Sequence, residues 1–366
     1  MNECKKKIAF FIPTLDGGGA QRVALNLARG LVGLGCEVDL LLVRKEGVLI
    51  NSIPSGVKVI SFEKSRTLYS IPGLVKVLWS REYDTLISFM NYVNICAAIS
   101  YLLSFKKTPL IITEHKTFSR GGGIKWNWNS ILTKILYEQV TSIVSVSKGA
   151  ANDLKNQLNL NKKVNVIYNP IFLEETFNQN FEKSPDDWFN EHLPVVVSAG
   201  RLVPLKGFDQ LIEVIKLVNE VMPCRLIILG EGEERSNLEQ LVIEKNLVGL
   251  VKLPGFSQDI LEYISNADLF VLSSYTEALP TVLIEALACG TPIVSTNCPN
   301  GPVEILNDGE FGELVEVGNV VAMSNAIIKK LNTVEPLIAK EKRKQRAKMF
   351  SVEKISKEYL KLLDSV

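Results

Sequence analysis

Residues 8–43 read IAFFIPTLDGGGAQRVALNLARGLVGLGCEVDLLLV. The apolar run Ile8 to Ile12 has the character of a strand, and Gly17-Gly18-Gly19 follows it as a glycine loop. From about Gln21 to Leu34 the apolar residues recur at helical spacing, Gly35 stops the helix, and Glu37 to Val43 predicts a second strand. A strand–loop–helix–strand unit of this kind opens a parallel, doubly wound sheet. Further apolar runs at Thr85–Phe89, Leu110–Thr113, Ser142–Val146 and Val164–Tyr168, with helical stretches between them, continue the alternation.

Asn169-Pro170 breaks that alternation, and residues 171–193 are polar and irregular, which predicts a linker. It then restarts with strands expected at Val195–Ala199, Arg225–Leu229, Val251–Leu253, Leu269–Leu272 and Pro292–Ser295, and helices at Phe208–Val221 and Glu234–Lys245. The expected organisation is an α/β chain with two Rossmann-like domains, residues 1–170 and 194–347, and the cleft between them is the default ligand site. A last helix within 348–366, with Ile355, Tyr359, Leu362 and Leu363 at helical spacing, is expected to pack back on the first domain.

At 366 residues the chain is long enough for two domains, and its 46% apolar and 22% charged residues fit a globular protein in water. The formal net charge of +1 lends no support to a nucleic-acid partner. The six cysteines are scattered without a C-x-x-C pair, which argues against a disulfide framework or a zinc site and fits a reducing, cytoplasmic setting. Ile8–Ile12 is too short for a signal-peptide core. Leu86 to Phe105 carries no formal charge over about a membrane thickness, but Asn91, Asn94 and four serines interrupt it, so a buried strand followed by a helix is the expected structure.

The segment richest in chemistry runs from Ser273 to Cys298. Pro280 suits the first turn of a helix that continues from Thr281 to Cys289 until Gly290 ends it. Glu277 precedes that helix, and Glu285 lies a little over one turn inside it. The first N–H groups, those of Thr281, Val282 and Leu283, point out of the helix start, where an anion such as a diphosphate binds well. Two solvated surface glutamates are the plain alternative.

The context of these glutamates goes further. Glu277-Ala-Leu-Pro-Thr-Val-Leu-Ile-Glu285 resembles the E-x7-E signature of the retaining glycosyltransferase family 4. Gly200-Arg201-Leu-Val-Pro-Leu-Lys206-Gly207 is similar to that family's G-R-x-x-x-x-K-G segment, and the loop at Gly17-Gly18-Gly19 to its N-terminal glycine loop. Ser145-Val-Ser-Lys148 and Val166-Ile-Tyr-Asn169-Pro170 resemble two further landmarks, so the likeness spans roughly residues 8–363 in the expected order.

The resemblance implies a GT-B fold, with the acceptor bound by the first domain (1–170) and the nucleotide-sugar donor by the second (194–347), and assigns roles by position. Arg201 and Lys206 would neutralise the donor diphosphate, Glu277 would contact the donor sugar, and Glu285 would bind the ribose hydroxyls. Gly18, Gly19, Ala278, Leu279, Thr281 and Val282 would line the donor. A histidine at the position of His115, just after the run Leu110–Thr113, touches the donor sugar in similar enzymes; a hydrogen-bonded structural histidine is the alternative. The family has glycine where this chain has Ala278, which puts the conformation of that loop in question. The implied activity is transfer of a hexose-type sugar from a nucleotide diphosphate sugar, a UDP-sugar first, to a hydroxyl acceptor, with a lipid-linked saccharide of bacterial glycan synthesis as the first candidate. Front-face attack is favoured, since no residue is a convincing covalent nucleophile.

The sequence also bears on other readings. Gly230-Glu-Gly232 follows a strand, but Arg235 stands where a dinucleotide fingerprint needs its third glycine. No D-x-D motif or His/Cys cluster indicates a metal, and no cofactor is expected. A sugar-nucleotide epimerase on the same scaffold, or a sugar-binding protein without catalysis, remains an alternative. The segment Lys116–Tyr137 combines Lys116, Arg120, Lys125 and Lys134 with Trp126, Trp128 and a run of apolar positions, a composition suited to peripheral contact with an anionic membrane or, alternatively, to a core helix with a solvated face.

Overall fold

A computed structural model describes residues 6–105, 108–118, 128–173 and 185–366. The chain divides into two compact units, Met1–Leu173 with Phe350–Val366, and Glu174–Met349.

In the first unit the elements run β1 (Lys7–Ile12), α1 (Gly19–Gly33), β2 (Glu37–Leu42), β3 (Lys58–Ser61), α2 (Ile71–Ser80), β4 (Thr85–Phe89), α3 (Asn91–Ser104), β5 (Leu110–Glu114), α4 (Trp128–Gln139), β6 (Ser142–Ser145), α5 (Lys148–Leu158) and β7 (Val164–Val166). The sheet order is β3-β2-β1-β4-β5-β6-β7, and every pair is parallel. Ile8 to Ile12 are all buried because helices cover both faces of the sheet. The stretch 86–105, weighed above as a membrane span, is β4 followed by α3, and Asn94 within it is buried and hydrogen-bonded. Among the described residues no helix is long and apolar enough to cross a membrane.

The second unit repeats the pattern with β8 (Val195–Ala199), α6 (Phe208–Asn219), β9 (Arg225–Leu229), α7 (Arg235–Glu244), β10 (Val251–Gly255), α8 (Ile260–Asn266), β11 (Leu269–Leu272), α9 (Thr281–Cys289), β12 (Ile293–Thr296), α10 (Gly301–Ile305), β13 (Glu313–Val315), α11 (Val320–Leu331) and α12 (Leu337–Ala347). Its order, β10-β9-β8-β11-β12-β13, is again parallel throughout. In each sheet the order reverses beside the first strand, between β1 and β4 and between β8 and β11. Loops leaving those strands therefore diverge and open a crevice at their carboxyl ends.

Residues 185–190, at the end of the polar stretch 171–193, are attached to the second unit. Trp188 lies under the Lys252 ammonium at 4.3 Å and the Arg225 guanidinium at 4.8 Å, while Asp186 and Glu191 pair with the same two cations at 2.7 and 2.5 Å. A cation held over an indole face is attracted by the ring quadrupole.

The final helix α13 (Val352–Asp364) belongs to the first unit. Its Ile355, Tyr359 and Leu363 join the core formed by Leu27, Ala28 and Leu31 of α1. The two helices meet closely at Gly30, where an added Cβ would stand 2.8 Å from both Val352 Cγ1 and Ser356 Cβ. The chain also leaves and re-enters this unit side by side: Ile171 N–H donates to Phe350 O at 2.9 Å and Val352 N–H to Phe172 O at 2.7 Å. Asn26 of α1 donates to the carbonyls of Pro170 and Ile171 at 3.0 and 3.1 Å. Gly30→Ala should therefore destabilise the protein by about 1–3 kcal/mol, the usual cost of overpacking, despite alanine's better helix propensity. Urea unfolding measures this, and an unchanged or raised midpoint would show that α13 yields without cost.

Candidate active site

The strongest cluster forms where the loops after β8 and β11 meet. Gly200 leaves β8, residues Pro204–Lys206 make one 3-10 turn, and Gly207 closes it at φ 61°. A Cβ on Gly207 would lie 2.4 Å from the Ser273 carbonyl oxygen, so only glycine allows this approach. Two bonds lock the contact: Ser273 Oγ donates to Lys206 O at 2.8 Å, and Tyr275 N–H donates to Leu205 O at 2.9 Å. The consequence is the position of Lys206, whose Nζ meets Glu277 Oε1 at 2.5 Å. Ser274 Oγ donates to the same carboxylate oxygen at 2.8 Å. The pair is largely shielded, with the Lys206 and Glu277 side chains 21% and 13% exposed, so its charges are less screened than on an open surface.

Arg201 lies on the same loop with an exposed side chain, and among the described residues it makes no ion pair. Gly230 and Gly232, weighed above as part of a dinucleotide motif, have a packing role here. A Cβ on Gly230 would stand 1.8 Å from Gly200 O, and one on Gly232 would stand 2.2 Å from Leu202 O. They let the β9–α7 loop support the Arg201 loop.

Ala278 and Leu279 are buried between Glu277 and α9. Ala278 does not have a positive φ, so the alanine sits without backbone strain where the family pattern has glycine. Helix α9 starts after Pro280 with no side-chain cap, and Thr281 and Val282 are half-buried at its start. The Leu283 N–H already donates to Pro280 O at 3.1 Å, which removes it from the three N–H groups expected to be open. Glu285 stands half-buried one turn further along.

Further neighbours of this site come from the segment after β12. Asn300, at φ 80°, donates to the Glu277 carbonyl at 3.4 Å, and Gly301 fits against Leu279 and Pro280 with no room for a Cβ. The Cys298 thiol is pushed up to about 12, first by burial and then by the Glu277 carboxylate, and is therefore inert.

Gly18, Gly19 and His115 lie in the first unit. Gly17 takes φ +94°, Gly18 is the extended N-cap of α1, and a Cβ on Gly19 would meet nothing within 4 Å. No side chain caps α1, so its start is open to an anion or a polar ligand. His115 follows β5, with its ring stacked on Phe89 at 5.9 Å and its Nε2 3.0 Å from Thr113 Oγ1. Burial lowers its pKa to about 4, so the imidazole is neutral at physiological pH. Its Nδ1 is buried and makes no hydrogen bond of good geometry, although the Asn169 side chain lies close enough to the ring to oppose the lowering. Arg120, Lys125 and Trp126 lie outside the described residues.

Residues 180–349 match the family model described as glycosyl transferases group 1, and residues 17–175 match that of glycosyltransferase family 4. A Campylobacter jejuni protein, N-acetylgalactosamine-N,N'-diacetylbacillosaminyl-diphospho-undecaprenol 4-alpha-N-acetylgalactosaminyltransferase, is 32% identical over 98% of this chain and 99% of its own length. Anabaena HepE, solved in complex with UDP and glucose, superposes with a TM-score of 0.80 at 22% identity, covering 99% of this chain and 100% of HepE. The lipopolysaccharide glycosyltransferase WaaG gives 0.75 at 16% identity, covering 97% and 99%. The two solved structures share the GT-B fold with this chain. Of the readings the sequence left open, these likenesses select the transferase: the chain belongs to the family 4, group 1 glycosyltransferases.

Proposed function

We propose that this glycosyltransferase moves a hexose-type sugar from a UDP-sugar, with retention, to a hydroxyl of a polyprenyl-diphosphate-linked saccharide in bacterial glycan synthesis. The observation that carries the reading is the Lys206–Glu277 pair, fixed by the Gly207–Ser273 contact at the carboxyl edge of β8 and β11. It provides, within one loop pair, a cation for a leaving diphosphate and an oriented carboxylate for sugar hydroxyls. The Campylobacter relative named for a diphospho-undecaprenol acceptor supports the acceptor class, and HepE with UDP supports the donor base.

The chemistry follows from charge. As the anomeric bond breaks, negative charge grows on the departing diphosphate, and Arg201, Lys206 and the open start of α9 are positive groups already in place to meet it. Lys206 is oriented beforehand by Glu277, so it need not be ordered during the reaction. Glu277, fixed by Lys206 and Ser274, accepts from sugar hydroxyls that become more acidic as the ring gains oxocarbenium character. No carboxylate is assigned as a covalent nucleophile. The acceptor hydroxyl attacks the face that the diphosphate leaves, and the diphosphate oxygen takes its proton.

Contact with a bilayer is part of the same proposal. On α4 the side chains of Ile131, Leu132 and Ile135 are exposed, and Leu102 and Leu103 at the end of the adjacent α3 are exposed as well, with Phe105 just beyond them at 89%. Lys134 stands among the α4 residues, and Lys116, Arg120 and Lys125 precede them in the sequence. Exposed apolar residues on a helix preceded in sequence by basic residues suit the interface of an anionic membrane at its cytoplasmic face.

Three outcomes test this reading. Arg201→Ala and Lys206→Ala should each lower kcat about a hundredfold with the fold intact, and wild-type activity should persist in excess EDTA, because these cations do the work of a metal. Full activity in either variant, or a magnesium-restored loss in EDTA, would overturn the diphosphate assignment. Glu285→Ala should weaken donor binding by about 1–3 kcal/mol with a modest effect on kcat, whereas Glu277→Ala should lower both. The reverse pattern in donor KM and kcat would exchange the two roles. Lys125→Glu with Lys134→Glu should reduce co-sedimentation with anionic vesicles, at about 1 kcal/mol per basic residue. A wild-type protein that ignores such vesicles at low salt has no membrane surface here.

A further inference from the structure

Positive charge is concentrated in residues 329–348. This stretch holds eight lysines and arginines against two glutamates, a net +6 in a chain whose formal total is +1, so the remaining residues sum to −5. Helix α12 sorts its cations by type. Its two arginines turn inward: the buried Arg343 donates to Gly290 O at 3.0 Å and pairs with Glu335, and Arg346 donates to Ile305 O at 2.9 Å. A guanidinium suits such fixed, shielded contacts. Lys340 and Lys342 on α12 and Lys348 just beyond it are exposed, and among the described residues they make no ion pair.

The turn that leads into α12 is apolar and exposed. Val334 is 97% exposed, Leu337 85% and Ile338 64%. Asn332 Nδ2 donates to Met222 Sδ at 3.6 Å, which brings Val221, also exposed, to the same end of the unit. Pro336 is the N-cap of α12 at φ −65°, and its ring stiffens the turn that holds these side chains out. Aliphatic groups this exposed forgo the gain of burial, and grouped together they mark a contact surface. The group lies apart from the candidate active site: α9 starts beyond Glu277 and ends at Gly290, where an added Cβ would stand 2.5 Å from Lys340 Cγ. The nine residues of α9 separate its two ends by about 13 Å.

We propose that the start of α12 is a docking surface for an anionic bilayer. Val334, Leu337 and Ile338 enter the headgroup layer, Lys340 and Lys342 meet lipid phosphates, and Lys348 adds to the positive field. Composition favours a bilayer over an acidic protein. Protein interfaces are enriched in aromatic residues and arginine and depleted in lysine. Here no aromatic residue occurs in 329–348, both α12 arginines are occupied underneath, and the exposed cations are lysines. A fluid headgroup layer needs no shape match to a protruding turn, whereas a protein partner would need a groove to receive it. A second copy in a two-fold contact would bring the same +6 stretch against itself, and like charges repel. The surface is separate from the α4 face of the first unit and depends on neither the assigned donor nor the assigned acceptor.

A fluorophore placed on the turn reads this contact directly. Bimane on Val334→Cys, in full-length Cys4→Ser protein whose other cysteines are buried, should shift to the blue with vesicles of phosphatidylglycerol and phosphatidylcholine in equal parts. Vesicles of phosphatidylcholine alone should leave it unchanged, and added salt should reverse the shift. Lys340→Glu with Lys342→Glu should weaken the affinity read by this probe roughly tenfold or more, since one basic residue near an anionic surface is worth about a factor of five. Leu337→Ser with Ile338→Ser should weaken it by a similar factor and leave the unfolding midpoint where it was, because both side chains are exposed. Vesicle binding with a silent probe would place any membrane contact elsewhere on the protein and overturn the proposal. So would an undiminished affinity in the Lys340/Lys342 variant. An equal shift with soluble polyglutamate would replace the bilayer with an acidic protein. Self-association in sedimentation without lipid, lost in the Leu337/Ile338 variant, would replace it with a second copy.

Discussion

The contact of Gly207 with the Ser273 carbonyl holds together two loops that leave neighbouring strands and would otherwise diverge. Parallel strands deliver their loops to one edge, but that edge is only a crevice until something fixes the loops to each other. Here a glycine with no Cβ lets one backbone lie directly on another, and the Ser273 hydroxyl and the Tyr275 amide complete the attachment. The Lys206–Glu277 pair follows from it. A lysine and a glutamate on separate, untied loops would spend rotamer entropy to meet, and the pair would be worth little. Held by the backbone, they meet in a largely shielded place and are preorganised for a ligand that carries charge of its own.

Much of this was legible in the sequence, and the exceptions share a cause. The strands Thr85–Phe89, Val195–Ala199, Arg225–Leu229 and Leu269–Leu272 are continuous apolar runs, and a strand buried on both faces has to look that way. The helix Thr281–Cys289 was legible from Pro280 and Gly290 at its two ends. Helix α12 was not: residues 337–347 read LIAKEKRKQRA, with a polarity that suggests a solvated stretch. It is held by partners remote in sequence, since Arg343 donates to Gly290 O and Arg346 to Ile305 O, while Arg343 also pairs with the nearby Glu335. Short strands such as Lys58–Ser61 and Glu313–Val315 at the sheet edges were equally silent, because an edge strand buries too little to impose an apolar run.

The same division holds for the sites. Arg201, Lys206, Glu277 and Glu285 were identified by local spacing, but that Lys206 and Glu277 touch is a long-range fact carried by the glycine contact. Asn300 and Cys298 owe their places near Glu277 to the loop after β12, and the hydrogen bonds among Ser88, Asn94, Glu114 and Tyr137 join β4, α3, β5 and α4. None of these groupings leaves a periodic mark in the sequence. The glycines illustrate the ambiguity best. Gly230 and Gly232 look like part of a nucleotide-binding motif and in fact make room for a neighbouring backbone.

The return of the chain to the first unit bears on the order in which the molecule assembles. Residues 174–349 form one continuous unit, and the buried residues of its core cluster all lie within that span. The first unit places Ile355, Tyr359 and Leu363 in the same core as Ile8 and Leu27, and Lys6 donates to the carbonyl of Leu363 at 2.7 Å. During synthesis the second unit can close as soon as its own residues have emerged, whereas the first must wait with part of its apolar surface uncovered until α13 leaves the ribosome. Domains usually fold in the order in which they are made. In this chain the first unit is begun before the second and completed after it, and the loop closed by α13 on α1 spans most of the 366 residues.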